Sequence, residues 1–144
     1  MARRRKTSVS PDVYRTFLQN IELEQVMLSS AQVKLSKVPE PGTSLEFLPE
    51  ETKTSFENLD GKFSAALHLR VRIRAKGDEE PLADIRVAFT GVYTSSEEMT
   101  QPVFEIFGDL NLPLNLAPYV REFVHSTTLR MGFPGLVLPT VKRG

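Results

Sequence analysis

The sequence predicts an α+β fold: a four-stranded antiparallel sheet with a long C-terminal helix packed on one face. Three observations carry this. Residues 62–76 alternate apolar and polar side chains without a break, the alternation resumes over residues 85–93 after a reversal rich in Gly, Asp and Pro, and the C-terminal third spaces its apolar residues as a helix does. A chain of 144 residues has room for one core. That core is expected over residues 11–144 as a single domain, behind a basic flexible tail at residues 1–10.

The elements follow in order. Ser10 and Pro11 suit the cap and first position of a short helix whose apolar side is Val13, Tyr14, Phe17 and Leu18. Residues 20–28 read as a strand whose apolar phase flips, with Ile21 and Leu23 odd but Val26 and Leu28 even; a bulge or a bend between two surfaces would do this. Pro39, Pro41 and Gly42 mark a loop, and Leu45 and Phe47 begin an edge-like strand that Pro49 is expected to interrupt. Asp60-Gly61 is a turn. The strand after it puts Phe63, Ala65, Leu67, Leu69, Val71 and Ile73 on one face and Lys62, Ser64, His68, Arg70, Arg72 and Arg74 on the other. Its partner continues with Ile85, Val87, Phe89, Gly91 and Tyr93, so the strands are expected to run as a meander or Greek key.

Ser95 and Glu98 have capping-box spacing and predict a helix start there, with Val103, Phe104, Ile106 and Phe107 on its apolar side and Gly108 at its end. Residues 110–116 are apolar and read as irregular. Pro118 is expected to open the long helix, with Val120, Phe123, Val124, Thr127 and Met131 on one stripe and Gly132 ending it. Leu136, Val137, Leu138 and Pro139 close the sequence as an extended apolar segment.

Composition narrows the function. Apolar residues are 40% and charged residues 25%, an ordinary globular balance, and no apolar run nears the roughly 18 residues of a membrane span. There is no cysteine and only two histidines, which excludes thiolate chemistry and a histidine-rich metal site. Net charge is zero, but Arg3, Arg4, Arg5 and Lys6 hold four of the 18 basic residues, leaving 14 against 18 acidic elsewhere. The polar stretch from Thr7 to Asp12 replaces the apolar core of a signal peptide, so a cytoplasmic address is expected. Catalysis has no good candidate. His125 and Ser126 are neighbours on a helix and point about 100° apart, unlike a nucleophile and its base. His68 sits among arginines on a wet strand face with no second metal ligand. Glu50-Glu51, Glu79-Glu80 and Glu97-Glu98 fall in turns or at a helix start, where acids are ordinary. The chain is therefore read as a binding protein without enzymatic activity.

The C-terminal third carries a more specific signal. Pro118, Tyr119, Arg121 and Glu122, then Phe133 and Pro134, then Leu136, Leu138 and Pro139 at the right intervening distances, resemble the SecB export-chaperone family. The order of strands and helices ahead of them is similar to that family's. The resemblance implies an ATP-independent holdase that assembles as a dimer of dimers, a homotetramer, and keeps unfolded or partly folded polypeptides in apolar surface grooves for protein export and translocation. It implies no cofactor. The apolar residues flanked by prolines, Phe47, Phe56, Phe104, Phe107 and Leu112, are the expected client-polypeptide contacts. Val120, Phe123, Val124 and Thr127 are the expected oligomer interface.

Departures from the family pattern point to a specialised member. The family meets the SecA motor through acidic residues on its sheet, whereas Arg70, Arg72, Arg74 and Arg86 make the corresponding surface basic, and Gln25 and Ser29 stand where acids are expected. SecA docking is thereby disfavoured. The sequence ends at Gly144, without the family's trailing lid helix and acidic tail, which suggests a groove open on one side and a dedicated client such as the antitoxin of a toxin–antitoxin pair. The competing reading is a nucleic-acid-binding module using Arg70, Arg72 and Arg74 as a stripe and residues 3–6 as an arm. It lacks solvent-facing aromatics for stacking.

Overall fold

The computed structural model describes residues 9–139 and, within them, every side chain but that of Glu51. The basic run at residues 3–6 and the last residues, 140–144, lie outside this span. The elements are α1 (Pro11–Gln19), β1 (Ile21–Leu35), β2 (Leu45–Leu59), β3 (Lys62–Ala75), β4 (Pro81–Ser95), α2 (Gln101–Asp109) and α3 (Asn111–Arg130). The four strands form one antiparallel sheet in the order β1-β4-β3-β2. β2, β3 and β4 are consecutive hairpin partners, and β1 crosses to lie beside β4, which makes the sheet the Greek key of the two expected arrangements.

The first helix forms as its sequence dictates. The Ser10 hydroxyl accepts the Val13 N–H at 3.3 Å and Pro11 begins the helix. Phe17 enters the core against Phe63, their rings 6.1 Å apart.

β1 explains the phase flip. Register shifts fall between Leu23 and Gln25 and again between Leu28 and Ser30, so Glu24 and Ser29 are the extra residues of two bulges. Each bulge resets the alternation. Leu23 opposes Tyr93, Val26 opposes Gly91, Leu28 opposes Phe89, and Val33 opposes Ile85, all on the helix side of the sheet. Of the bulge and the bend that the phase flip allowed, bulges are what form: they hold Leu23, Val26, Leu28 and Val33 on one face, and the strand runs on past the expected Leu28 to Leu35. Pro49 likewise does not interrupt β2. As an edge strand, β2 has a side where a missing N–H costs no ladder bond, and its irregularity comes just after, between Glu50 and Lys53.

All three helices lie on the odd-numbered face of β3 and β4. Phe63, Tyr93 and Phe107 form an aromatic cluster: Phe63 stacks on Tyr93 at 4.9 Å, and Phe107 meets both edge-on at 5.6 and 5.3 Å. Two small residues permit the close packing. A Cβ on Gly91 would come 3.0 Å from the Tyr93 ring and 3.1 Å from Leu23, and one on Gly108 would come 3.0 Å from Thr54.

Three boundaries differ from expectation. Ser95 is the last residue of β4, not a helix cap; α2 starts six residues later, where Thr100 accepts the Val103 N–H and Pro102 sits in the first turn. The chain is led there by Asn58, whose side-chain amide donates to Met99 O at 2.8 Å and accepts from Met99 N at 2.9 Å. Residues 111–116 are helical rather than irregular, and Pro118 lies inside α3. The proline deprives Leu114 O of its intrahelical donor. Leu112, Leu116, Val120, Val124 and Thr128 recur at every fourth position, all buried, and fully burying such an apolar side chain is worth about 1.5–3 kcal/mol, enough together to carry the helix through the defect. Gly108 lies within α2, one residue before its end. Gly132 ends α3 at φ +85°, with Phe133 N donating back to Thr128 O, as the sequence predicts.

Candidate functional site

The C-terminal segment after Gly132 turns back along α3 as an extended strap. Three helix side chains grip its backbone. Thr128, wholly buried, accepts the Leu136 N–H at 3.0 Å while its hydroxyl hydrogen is shared between Val124 O and His125 O, both at 2.9 Å. Arg121 Nε donates to Leu138 O at 3.0 Å, and His125 Nδ1 lies 3.3 Å from Leu136 O. Gly135 passes so close to His125 that a Cβ there would fall 2.4 Å from the ring. Leu138 is buried in the main core cluster.

Between this strap, α3 and the β2–β3 pair lies an apolar pocket of about 210 Å³. Leu67 and Leu69 form its floor, Pro113, Ala117 and Val120 one wall, and Leu138 and Pro139 the other, with Pro49 at the rim. Polar groups are few there, so the pocket can take an apolar side chain of an extended polypeptide but offers no machinery for bond-breaking. Among the described residues no group of three His, Asp or Glu side chains is placed to hold a metal ion.

A second apolar surface runs along β1. Leu23, Leu28, Val33 and Leu35 are exposed on the helix side of an edge strand with one unpaired ladder. Phe89, the cross-strand neighbour of Leu28, carries Tyr119 and Phe123 of α3 at 5.9 and 6.2 Å, which extends the same surface onto the helix.

The opposite face of the sheet is polar, and its arginine stripe is neutralised. Arg70 makes a two-pronged pair with Asp84 at 3.1 and 2.7 Å, Arg72 meets Glu50 at 2.6 Å, and Arg74 meets Glu46 at 2.9 Å. The hydrogen bond from Arg70 holds the Asp84 carboxyl below its usual range, and that from Arg72 does the same for Glu50. A basic stripe along β3 was expected; the acids of β2 and β4 sit opposite each arginine and cancel it. Lys62 pairs in turn with Glu24 at 2.8 Å.

The structure relocates most of the expected site residues. Phe104, Phe107 and Leu112 are buried within the subunit, because α2 and the first turns of α3 fold as a hairpin onto the sheet instead of remaining irregular. They cannot meet a client in this conformation. Phe56 is half-buried against Phe104, the rings 4.5 Å apart, and Phe47 is half-buried against a smaller cluster around Ile73 and Phe133. Val120 and Val124 pack on their own sheet, so they are core rather than subunit interface; Phe123 and Thr127 are half-buried beside them. Arg121, expected as an ion-pair or dipole residue, holds the strap. Thr128 was not anticipated, although a threonine four residues after Val124 on the buried stripe requires a polar partner, and that signal was readable.

These features define an α+β subunit with a Greek-key sheet backed by a helical hairpin and an apolar groove under a C-terminal strap. The sequence pattern described as preprotein translocase subunit SecB matches residues 5–142, and the chain belongs to the SecB family. Among solved structures, a Mycobacterium tuberculosis SecB-like chaperone in complex with a ChAD peptide from an antitoxin is similar at a TM-score of 0.80 and 19% identity, over 91% of this chain and 98% of that one. It shares the fold. A Streptococcus agalactiae protein of unknown function, at a TM-score of 0.43 and 17% identity over 83% of this chain and 96% of that one, is too distant to carry argument. No curated protein sequence matches.

Proposed function

We propose that this SecB-family chain is an ATP-independent holdase chaperone that binds extended apolar segments of non-native polypeptides. The observation that carries this is the open apolar pocket beside a strap that is itself extended, apolar and held through its backbone: the same groove chemistry that would hold a client. Leu69, Pro113 and Ala117, the partly exposed residues of the pocket, are the proposed contacts, with half-buried Phe47 and Phe56 as neighbours on β2. The structure of the Mycobacterium relative with its antitoxin peptide supports a dedicated client over general export. The pairing of Arg70, Arg72 and Arg74 with acids speaks against both an acidic surface for SecA docking and the free arginine stripe of a nucleic-acid module.

Self-association is proposed along β1, where an unpaired edge and four exposed apolar residues offer a ladder and a surface for a second copy; stacking of two such dimers would make the homotetramer. No helix among the described residues is long and apolar enough to cross a membrane, and the protein is proposed to act in the cytoplasm.

The test is suppression of aggregation of a chemically denatured client, read by light scattering without ATP. The protein in several-fold excess should slow aggregation, and Ala117→Glu, which places a charge in the pocket wall, should abolish the effect while circular dichroism stays unchanged. Equal aggregation with and without the protein defeats the proposal.

A further inference from the structure

The sheet face turned away from the helices carries a trough of about 520 Å³ that crosses all four strands. Ser30 and Gln32 come from β1, Arg86 and Ala88 from β4, His68 from β3, and Lys53 from β2. Ala88 keeps the floor low: although it points away from the helices, it is only 2% exposed. No acidic side chain lines the trough among the described residues; a smaller hollow beside Arg86 brings in Lys34 together with its cross-strand partner Asp84.

The charge here is unbalanced by design of the pairing. Arg70 and Arg86 are direct cross-strand partners, a like-charge placement that costs stability unless an anion lies between them. Asp84 is that anion: it bonds Arg70 through both oxygens and acts on Arg86 through its charge alone. Arg86 therefore joins Lys53 and His68 as cationic or hydrogen-bonding groups of the trough, while Lys34 faces Asp84 across the strands and Arg70, Arg72 and Arg74 are paired with acids.

Three gaps between neighbouring strands make the trough about 14 Å long, which an extended chain covers in about four residues. The hydroxyl and amide groups of Ser30, Ser55 and Gln32 suit a peptide backbone, and the cations suit carboxylates. RNA would need a longer run of unpaired cations and an aromatic platform, and this face presents neither.

We propose that the outer face of the sheet is a second polypeptide-binding surface, which takes a short acidic segment of a partner protein in the trough between Lys53 and Arg86. It lies across the sheet from the apolar pocket and does not depend on the chaperone reading.

The experiment is fluorescence anisotropy of a labelled peptide of alternating Glu and Ser against the full-length protein, with the matching Lys and Ser peptide and a short oligouridine RNA as comparisons. The acidic peptide should bind, the basic one should not, and binding should weaken as salt rises. Lys53→Glu with Arg86→Glu should reduce affinity about tenfold or more, and Ser55→Lys, which adds a cation at the rim, should raise it. Ala117→Glu, in the apolar pocket, should leave it unchanged. Absence of binding to the acidic peptide, binding indifferent to both trough variants, or tighter binding of the RNA through the same residues would overturn the proposal.

Discussion

Replacing Thr128 by valine should free the C-terminal strap without unfolding the subunit. Valine keeps the shape and removes only the hydroxyl. Two things then change: the helix loses a back-bond to Val124 O and His125 O, which is of little consequence because those carbonyls retain helical donors, and the Leu136 N–H loses its acceptor at 3.0 Å. A buried donor left unsatisfied costs about 1–3 kcal/mol, and the Leu136 N–H, being only part-buried, falls toward the lower end of that range. The strap's other anchors are Arg121 on Leu138 O and the burial of Leu138, so the loss falls on local opening rather than on global stability. Converted at tenfold per about 1.4 kcal/mol, amide exchange at positions 136–138 should quicken roughly 5- to 140-fold. Hydrogen exchange read by mass spectrometry or NMR measures this directly, with α3 amides as internal controls. Unchanged protection of Leu136 in the variant would refute the reasoning, as would an equal acceleration throughout α3.

Two further outcomes follow from the core and from titration. Leu116→Ala should cost about 2–5 kcal/mol in denaturant unfolding, whereas Arg72→Ala should cost less than about 1 kcal/mol because its pair with Glu50 is partly solvated; equal losses would mean that Leu116 is not the core residue of α3 that its burial makes it. Burial raises the Tyr93 phenol above its ordinary 10.0, against the opposing bond from Asn115, so the folded chain holds that proton more tightly than the unfolded one. Its contribution is complete below pH 10 and is lost as pH climbs from there toward the folded value; Tyr93→Phe should flatten that alkaline decline in the unfolding midpoint.

Much of this fold was legible because local preference and burial agree. Along β3 the apolar residues are odd and the polar ones even, with Ala66 the one apolar residue out of phase. Ser10-Pro11 and Gly132 mark helix ends through chemistry that acts within one turn. The misreadings share a cause: a local signal was outweighed by packing that the sequence does not display. Pro118 reads as a helix start, yet the stripe from Leu112 to Thr128 continues through it. Ser95 and Glu98 read as a cap, yet Ser95 opposes Ile21 at the end of a ladder. The pairing of β1 with β4 joins residues 48 to 74 positions apart and leaves no local trace. The candidate site suffered most. Phe104 and Phe107 are apolar among prolines whether they are exposed or buried, and only the closing of α2 and α3 onto the sheet decides between the two.

The aromatic cluster at the end of the sheet also makes the subunit spectroscopically legible. The chain has three tyrosines and no tryptophan. Tyr119 is largely in solvent, and Tyr14 bonds Asn111 at the margin, but Tyr93 is locked between Phe63, Phe107 and Asn115. A ring fixed in that asymmetric setting dominates near-ultraviolet circular dichroism, where freely turning rings average out. Its residues come from β3, β4, α2 and α3, so the signal exists only while the helical hairpin is seated. Undocking of the hairpin from an intact sheet would erase the tyrosine band while the far-ultraviolet spectrum persists, and the two wavelengths together separate loss of seating from loss of structure in a single titration.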